Sequence, residues 1–260
     1  MNGTMDLPAG LGASLAAGLA DLIASISGAP LPGLPYLAPA LLFADPQVQA
    51  RIGMPVAEPG DILVQDFQAV TYEADLPLDA PLQAFCERSQ TADTTRFRFD
   101  VSAAGQISVT LDTALRCIER DQISGLSPTC FRNFEALGAL ALSSCLTFSQ
   151  SDVARYVALS GDTNPIHSDP AEAAQLGLAA PIVPGLLLIA TMQPSCAAAL
   201  PELALKSLRA RFMAPLCVGE PFRIALQMRA TTAEGDLRVR ATFGGENERA
   251  LAVSDLVFAP

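Results

Sequence analysis

The segment RFMAPLCVGEPF, residues 211–222, aligns without a gap with TYEADLPLDAPL, residues 71–82, when the sequence is shifted by 140 positions. Pro81 then falls on Pro221. Further along, RFRFDVSAAG falls on DLRVRATFGG, and the turn glycines Gly105 and Gly245 coincide. Both copies share one order of features: apolar alternation, a proline, a second alternation and a glycine turn. Since few residues are identical, it is this shared order that indicates an internal repeat.

The alternation around these prolines predicts strands, because a period of two bounded by Gly and Pro is typical of half-buried strands. Each half is expected to end in an antiparallel sheet of about four strands. An apolar helical segment precedes each set, at 37–50 and at 185–199, and Pro194 is expected to kink or shorten the second. We therefore predict an α+β fold with two antiparallel sheets, each wrapped around a central helix. The predicted domains are 1–135 and 136–260, with the boundary near 122–140.

The composition limits the class of protein. Apolar residues make up 50% of the chain and charged residues 17%, which is enough for a large core. A net charge of −11 and the lack of a basic run argue against a nucleic-acid partner. The apolar region 7–27 has no Lys or Arg to open a signal peptide, and prolines break the uncharged runs 22–44 and 173–201. We therefore expect a soluble cytoplasmic protein without a membrane span.

The six cysteines have irregular spacing, with neither a CxxC motif nor a paired Cys/His pattern. Such thiols are typical of small buried side chains in a reducing compartment. One histidine and no clustered carboxylates predict that the chain holds no metal.

The stretch SGDTNPIHSDP, residues 160–170, contains His167, the only histidine of the chain. A capping-box-like pair opens a helix before it, and Gly161 is suited to the position just after a helix end. Asp169 is expected to cap a second helix that begins at Pro170. The histidine therefore belongs to a short loop between two capped helices.

Three side chains of this loop, Asp162, Asn164 and His167, have the chemistry that acid–base catalysis requires. An ordinary polar loop, in which Asp and Asn cap nearby backbone groups, is the alternative reading of the same residues. Because the residues lie in a loop, we expect their role in packing to be small.

The segment FSQSDVARYVALSGDTNPIHSDPAEAAQLGLAAPIVPGLLL, residues 148–188, closely resembles the hydratase motif of the MaoC-like dehydratases, also called (R)-specific enoyl-CoA hydratases. The motif's aspartate, asparagine, histidine and helix-opening glycine fall on Asp162, Asn164, His167 and Gly185. The family has the hot-dog fold, so the resemblance implies a double hot-dog whose first half is degenerate. The resemblance covers roughly 145–260, and the chain departs from it at Pro184, where the family usually has histidine.

The resemblance implies a hydro-lyase of fatty acid metabolism that hydrates 2-enoyl thioesters reversibly to (R)-3-hydroxyacyl thioesters. It implies that His167 exchanges a proton, that Asp162 orients the water and relays the second proton, and that Asn164 fixes the loop or the water. The N–H of Gly185, at a helix N-terminus, would stabilise the enolate oxygen. A glycine that serves only close packing of the helix is the alternative.

Coenzyme A or the phosphopantetheine of a carrier protein is expected as part of the substrate, with no separate cofactor. Arg209 and Arg211 share one face of a predicted strand and are candidates for binding its phosphates, or else they lie on a solvated outer face. Pro184 is expected to alter the wall of the pocket, and a homodimer is a further expectation. An acyl-CoA thioesterase and a non-catalytic acyl-thioester-binding protein are the alternative functions.

Overall fold

The computed structural model describes residues 3–8, 10–43, 45–58, 60–123 and 129–260, with only the backbone of Gln47. The strands of the first half are β1 (Gly3–Asp6), β2 (Asp61–Tyr72), β3 (Leu82–Gln90), β4 (Thr94–Ala103) and β5 (Gln106–Glu119). Those of the second half are β6 (Ala141–Leu142), β7 (Ala204–Phe212), β8 (Arg223–Thr231), β9 (Leu237–Gly244) and β10 (Ala250–Ala259).

The helices of the described residues are α1 (Leu11–Ser27), α2 (Ala38–Leu41), α3 (Pro46–Ile52), α4 (Gln150–Ser160), α5 (Pro170–Gln175), α6 (Gly185–Ala190) and α7 (Gln193–Ala199). Short 3₁₀ turns lie at Arg120–Gln122, Phe134–Gly138, Pro165–His167 and Glu246–Glu248.

The strands form a single antiparallel sheet in the order β1-β3-β4-β5-β2-β7-β10-β9-β8-β6. All strands of the first half lie on one side of the β2–β7 junction, and all strands of the second half lie on the other. The two predicted sheets are therefore present, joined edge to edge into one. Each half contains one strand more than the four predicted, because β1 and the two-residue β6 extend the outer edges.

The register at the junction confirms the repeat. Gln68 pairs with Ala210 and Val70 pairs with Leu208, on either side of the pair Ala69–Arg209. At a shift of 140, Ala69 corresponds to Arg209. The two halves are thus related by a pseudo-twofold axis through that pair, in the manner of a self-complementary dimer interface.

The prediction of one helix at 37–50 in the first half was wrong about the length of the helix. The structure has α2 and α3 in its place, and Pro46, which lacks an N–H and restricts the residue before it, begins the second of them. The Asp45 side chain caps α3 by accepting from the Val48 N–H at 3.1 Å. Ala44, between the two helices, lies outside the described residues.

The longest helix of the described residues, α1, was not predicted. Its buried face includes Leu19, Leu22 and Ile23. It packs against α4, and a Cβ built on Gly18 would lie 2.6 Å from Leu159 Cδ2. A larger residue at this position would therefore require the Leu159 side chain to move where the two helices approach closely.

The second-half helix at 185–199 was predicted in the right place but is not continuous. It divides into α6 and α7 at Thr191 and Met192, and Pro194 lies in the first turn of α7. The expected effect of this proline is therefore confirmed, since its missing N–H is tolerated only in a first turn.

Apolar side chains of both halves form one continuous core. A second cluster joins the halves beneath the predicted loop; it contains Ile62, Ile118, Ile123, Ile166, Leu176, Ile182 and Cys217. The division into 1–135 and 136–260 stays a prediction, and residues 124–128 of the predicted boundary lie outside the described residues.

The six cysteines are free thiols; Cys86, Cys196 and Cys217 are buried, and Cys130 and Cys145 are exposed. Within the described part of the chain, no helix is both long enough and apolar enough to span a membrane.

Candidate active site

The loop that carries the histidine is held between two capped helices, as predicted. The Ser149 hydroxyl accepts from the Asp152 N–H, and the Asp152 carboxylate accepts from the Ser149 N–H, which completes a capping box for α4. Gly161 follows α4 with a φ of 63°, a conformation that favours glycine. Asp169 caps α5 by accepting from the Ala171 N–H at 2.8 Å. Both ends of the loop are thus fixed by backbone chemistry.

His167 is held in one orientation by the backbone. Its Nδ1 lies 2.8 Å from the carbonyl oxygen of Ile182, and this oxygen can only accept, so Nδ1 carries a proton. In the neutral imidazole the lone pair is therefore on Nε2, which lies 3.3 Å from Asp162 Oδ2. The histidine is 6% exposed, so the expectation of a small packing role was wrong for this residue.

Asp162 is the solvent-accessible member of the pair, with 41% of its side chain exposed against 8% for His167. Burial acts to raise the pKa of Asp162. When the imidazole is protonated, the hydrogen bond and charge of His167, together with the Asn164 N–H, outweigh that effect and hold the pKa below its usual value. The carboxylate is therefore ionised at neutral pH.

Asn164 fixes the loop through its hydrogen bonds. Its N–H donates to Asp162 Oδ1 at 3.1 Å, and its Oδ1 accepts from the Ile166 N–H at 3.4 Å. Its Nδ2 donates to the carbonyl oxygen of Leu63, on β2 of the first half, at 3.2 Å. The carboxylate of the second half is thus positioned by a residue anchored on the first half.

Pro184 and Gly185 open helix α6 at the same site. Pro184 is the N-cap, with φ −55° and ψ 132°. Gly185 is the first helical residue, where an N–H has no intrahelical partner. A Cβ on Gly185 would lie 2.7 Å from Phe212 Cε1, so close packing also requires this glycine.

A cavity of about 790 Å³ connects these groups. Asp162, Asn164, His167, Pro184 and Gly185 all line it, which brings together five of the seven predicted site residues. The first half contributes an apolar wall that includes Leu41, Phe43, Ile52, Phe97, Phe99 and Leu111. The rings of Phe43 and Phe99 are stacked in this wall, with centroids 3.8 Å apart.

Arg209 and Arg211 do not line the cavity. They are exposed on the outer face of β7, where the Arg209 guanidinium lies over the Phe67 ring at 5.0 Å. Their position is that of the alternative, a solvated outer face, and a role in phosphate binding stays a prediction.

The arginine side chains that line the described cavity are Arg116 and Arg120. Arg116 Nη2 lies 3.4 Å from Asp66 Oδ1, and Arg120 pairs with Glu172 of α5. Neither arginine was predicted as a site residue, since neither belongs to a recognisable motif. The carbonyl of Leu63 was not predicted either, because a backbone acceptor leaves no signal in a sequence.

The described residues contain no group of three His, Cys, Asp or Glu side chains that could hold a metal ion.

The family model described as MaoC like domain matches residues 138–244, which contain the loop and the start of α6. This part of the chain is a MaoC-like domain. No curated protein matches the sequence.

Solved structures with this fold match both the MaoC-like domain and the half before it. A MaoC-like dehydratase from Phytophthora capsici is 17% identical, with a TM-score of 0.66, over 100% of this chain and 95% of that chain. RV0216 of Mycobacterium tuberculosis, described as a double hot-dog fold, is 14% identical, with a TM-score of 0.62, over 99% and 95%. A 12:0-ACP thioesterase from Umbellularia californica is 10% identical, with a TM-score of 0.58, over 82% of each chain. At these identities the likeness concerns the fold, which is the predicted double hot-dog.

Proposed function

We propose that this protein is a hydro-lyase that adds water reversibly to 2-enoyl thioesters and forms (R)-3-hydroxyacyl thioesters. The observation that carries the proposal is the locked tautomer of His167, whose Nε2 lone pair faces the ionised Asp162 at the surface of an apolar cavity. A water molecule in the cavity within hydrogen-bond distance of both groups can donate one hydrogen to each. The (R) configuration rests on the resemblance to the hydratase motif.

The proposed step begins when His167 Nε2 takes a proton from that water as its oxygen bonds to Cβ. The electrons of the Cα–Cβ double bond move toward the thioester, and the Gly185 N–H stabilises the enolate oxygen. The imidazolium then returns the proton to Cα, so the water supplies both added groups. Since the pKa of Asp162 is low, we assign the proton return to His167 and the orientation of water to Asp162, which replaces the expected relay through the carboxylate.

The substrate is proposed to be linked to coenzyme A or to a carrier protein. Arg116 and Arg120 are the cations nearest its path, but each is already paired with a carboxylate. Affinity would therefore rest mainly on the apolar wall of the first half. Each buried methylene contributes about 0.8 kcal/mol, so KM should fall roughly fourfold per added carbon until the wall is reached.

The decisive experiment is incubation with crotonyl-CoA while the absorbance of the conjugated thioester and the free thiol are both measured. A hydratase removes the absorbance without releasing thiol. Thiol release would instead support the thioesterase alternative, and binding without either change would support a non-catalytic role. Enoyl-CoAs of graded length and one branched acid thioester then define the acyl specificity.

A further inference from the structure

Tyr156 lies in the same cavity as the Asp–His pair and has no role in the proposed step. It belongs to α4, six residues before Asp162, and only 3% of it is exposed. The capping box and Gly161 fix both ends of this helix. The ring is therefore held in place next to the loop, and it lines the cavity.

The phenolic hydroxyl of Tyr156 has no hydrogen-bond partner within the described structure. By contrast, the hydroxyl of Tyr72 donates to the carbonyl oxygen of Tyr36 at 3.1 Å. Among the described residues, the fully buried side-chain polar atoms that have no hydrogen-bond partner are Arg116 Nε and Ser254 Oγ. The Tyr156 hydroxyl is not among them, so it opens into the cavity, and a buried polar group normally has a partner.

The hydroxyl lies close enough to Asp162 to be affected by its charge. Burial first, and then the negative charge of Asp162, raise the pKa of Tyr156 far above its usual value. The phenol is therefore protonated at neutral pH. Such a group can donate a hydrogen bond to a ligand but cannot serve as a base.

We propose that the Tyr156 hydroxyl donates a hydrogen bond to the oxygen atom that joins Cβ, which is the 3-hydroxyl of the hydrated thioester. This inference rests on the proposed function. A water oxygen has two hydrogens and two lone pairs, and His167 and Asp162 take the hydrogens. If Tyr156 occupies one lone pair, the other is left to attack Cβ. In dehydration the same donor stabilises the departing oxygen, while its own proton stays on the phenol.

Tyr156→Phe tests the proposal, because it removes only the hydroxyl. One donor to a developing oxyanion is worth about 10²–10³ in kcat, and an oxygen with less charge should cost less, about 10- to 100-fold. KM for the enoyl thioester should change little. The melting temperature should not fall, since the hydroxyl has no protein partner to lose.

Tyr72→Phe is the matched control, because Tyr72 does not line the cavity. It should keep activity but lower the melting temperature, since the Tyr36 carbonyl loses its donor. A structural role for Tyr156 would produce the Tyr72 result. Wild-type kcat in Tyr156→Phe would overturn the proposal.

A binding measurement separates this proposal from the proposed function. In a His167→Ala background, Tyr156→Phe should weaken the binding of (R)-3-hydroxyhexanoyl-CoA by roughly fivefold to tenfold, which is the contribution of one hydrogen bond. The binding of hexanoyl-CoA should not change. Equal loss for both esters would refute the bond to the 3-oxygen. If the wild type hydrates no enoyl-CoA but Tyr156→Phe still selectively weakens binding of the 3-hydroxy ester, the proposed hydratase activity is refuted and the proposed hydrogen bond is supported. If neither ester bound the wild type, both proposals would fall.

Discussion

Gly185→Ala tests how closely the proposed enolate site depends on packing against one ring. The new Cβ would lie 2.7, 2.9 and 3.1 Å from Cε1, Cδ1 and Cζ of Phe212. Carbon atoms pack at about 3.5 Å or more, so either the helix start or the ring must move by roughly 0.8 Å. Gly185 is not among the residues with positive φ, so alanine suits its backbone and retains its N–H.

The expected cost follows from that displacement. A misplacement of about 1 Å at a catalytic group can cost ~10²-fold, so kcat for enoyl-thioester hydration should fall about 10- to 100-fold. Overpacking should also lower the free energy of unfolding by about 1–3 kcal/mol. Both effects have the same cause, and relief of the contact should reverse both.

Phe212→Leu supplies the relief, because it removes Cε1 and Cζ, two of the three ring atoms nearest the new Cβ, and leaves a smaller side chain that can rotate away. The double variant should recover to within about threefold of Phe212→Leu alone, since contacting residues are coupled. Steady-state kinetics and thermal unfolding of the four proteins measure the coupling. Additive losses would refute the steric reasoning, and a fully active, fully stable Gly185→Ala would refute the dependence on packing.

The same background isolates the N–H. Gly185→Pro keeps a residue type suited to the first turn, and the extended ψ of Pro184, 132°, is compatible with a following proline. Its comparison with Gly185→Ala, both in Phe212→Leu, removes most of the steric difference. A further loss of ~10²–10³ in kcat is expected for one missing oxyanion donor, and no further loss would show that the enolate is stabilised elsewhere.

Four other variants test the loop and the helix start. Asp162→Asn and His167→Ala should each lower kcat at least ~10²-fold, and near-normal turnover by the histidine variant would exclude its assigned role. Because the pKa of Asp162 is lowered on folding, its charge stabilises the folded protein above about pH 4, which is the pKa in the unfolded chain. This stabilisation is lost as the pH falls through the folded pKa. Urea titrations should therefore find Asp162→Asn less stable than wild type at pH 7, and the difference in the free energy of unfolding should become smaller in acid. Pro184→His should stay within about tenfold of the parent, since no donor is lost, and gain of hydratase activity from an inactive parent would favour the non-catalytic alternative. Asn164→Ala should lower kcat without changing the reaction products, because Asp162 loses the neighbour that the bond to Leu63 holds in place. Full activity in this variant would show that the bond to Leu63 is dispensable.

Local chemistry explains which parts of the site could be predicted. The capping box, Gly161 and Asp169 follow rules that act within four residues, and the structure bears out each of them. The burial of His167 could not be read in the same way, because the Ile182 carbonyl that holds it lies 15 residues further along the chain. A polar loop therefore proved to be partly core.

The arginines of β7 show what alternation can and cannot predict. A period of two places Arg209 and Arg211 on one face and Leu208 and Ala210 on the other. The apolar pair faces the core, with exposures of 1% and 0%, so the arginines had to face outward. The charge pattern alone had suggested a ligand, whereas the side of the sheet that meets the core decides which way the two arginines point.

The pseudo-twofold axis explains why the first half has no site of its own. At a shift of 140, Leu22 stands where Asp162 stands, and Ser27 stands where His167 stands. The second half ends its helix at Ser160 and turns into the loop, but α1 runs on to Ser27 without a glycine or proline to stop it. Leu22 is fully buried in that continued helix. The position of the loop that carries His167 is thus filled by helix and core in the first half, which leaves this half to supply the Leu63 carbonyl and the apolar wall. Since His167 is the only histidine of the chain, the Asp–His pair belongs to the second half.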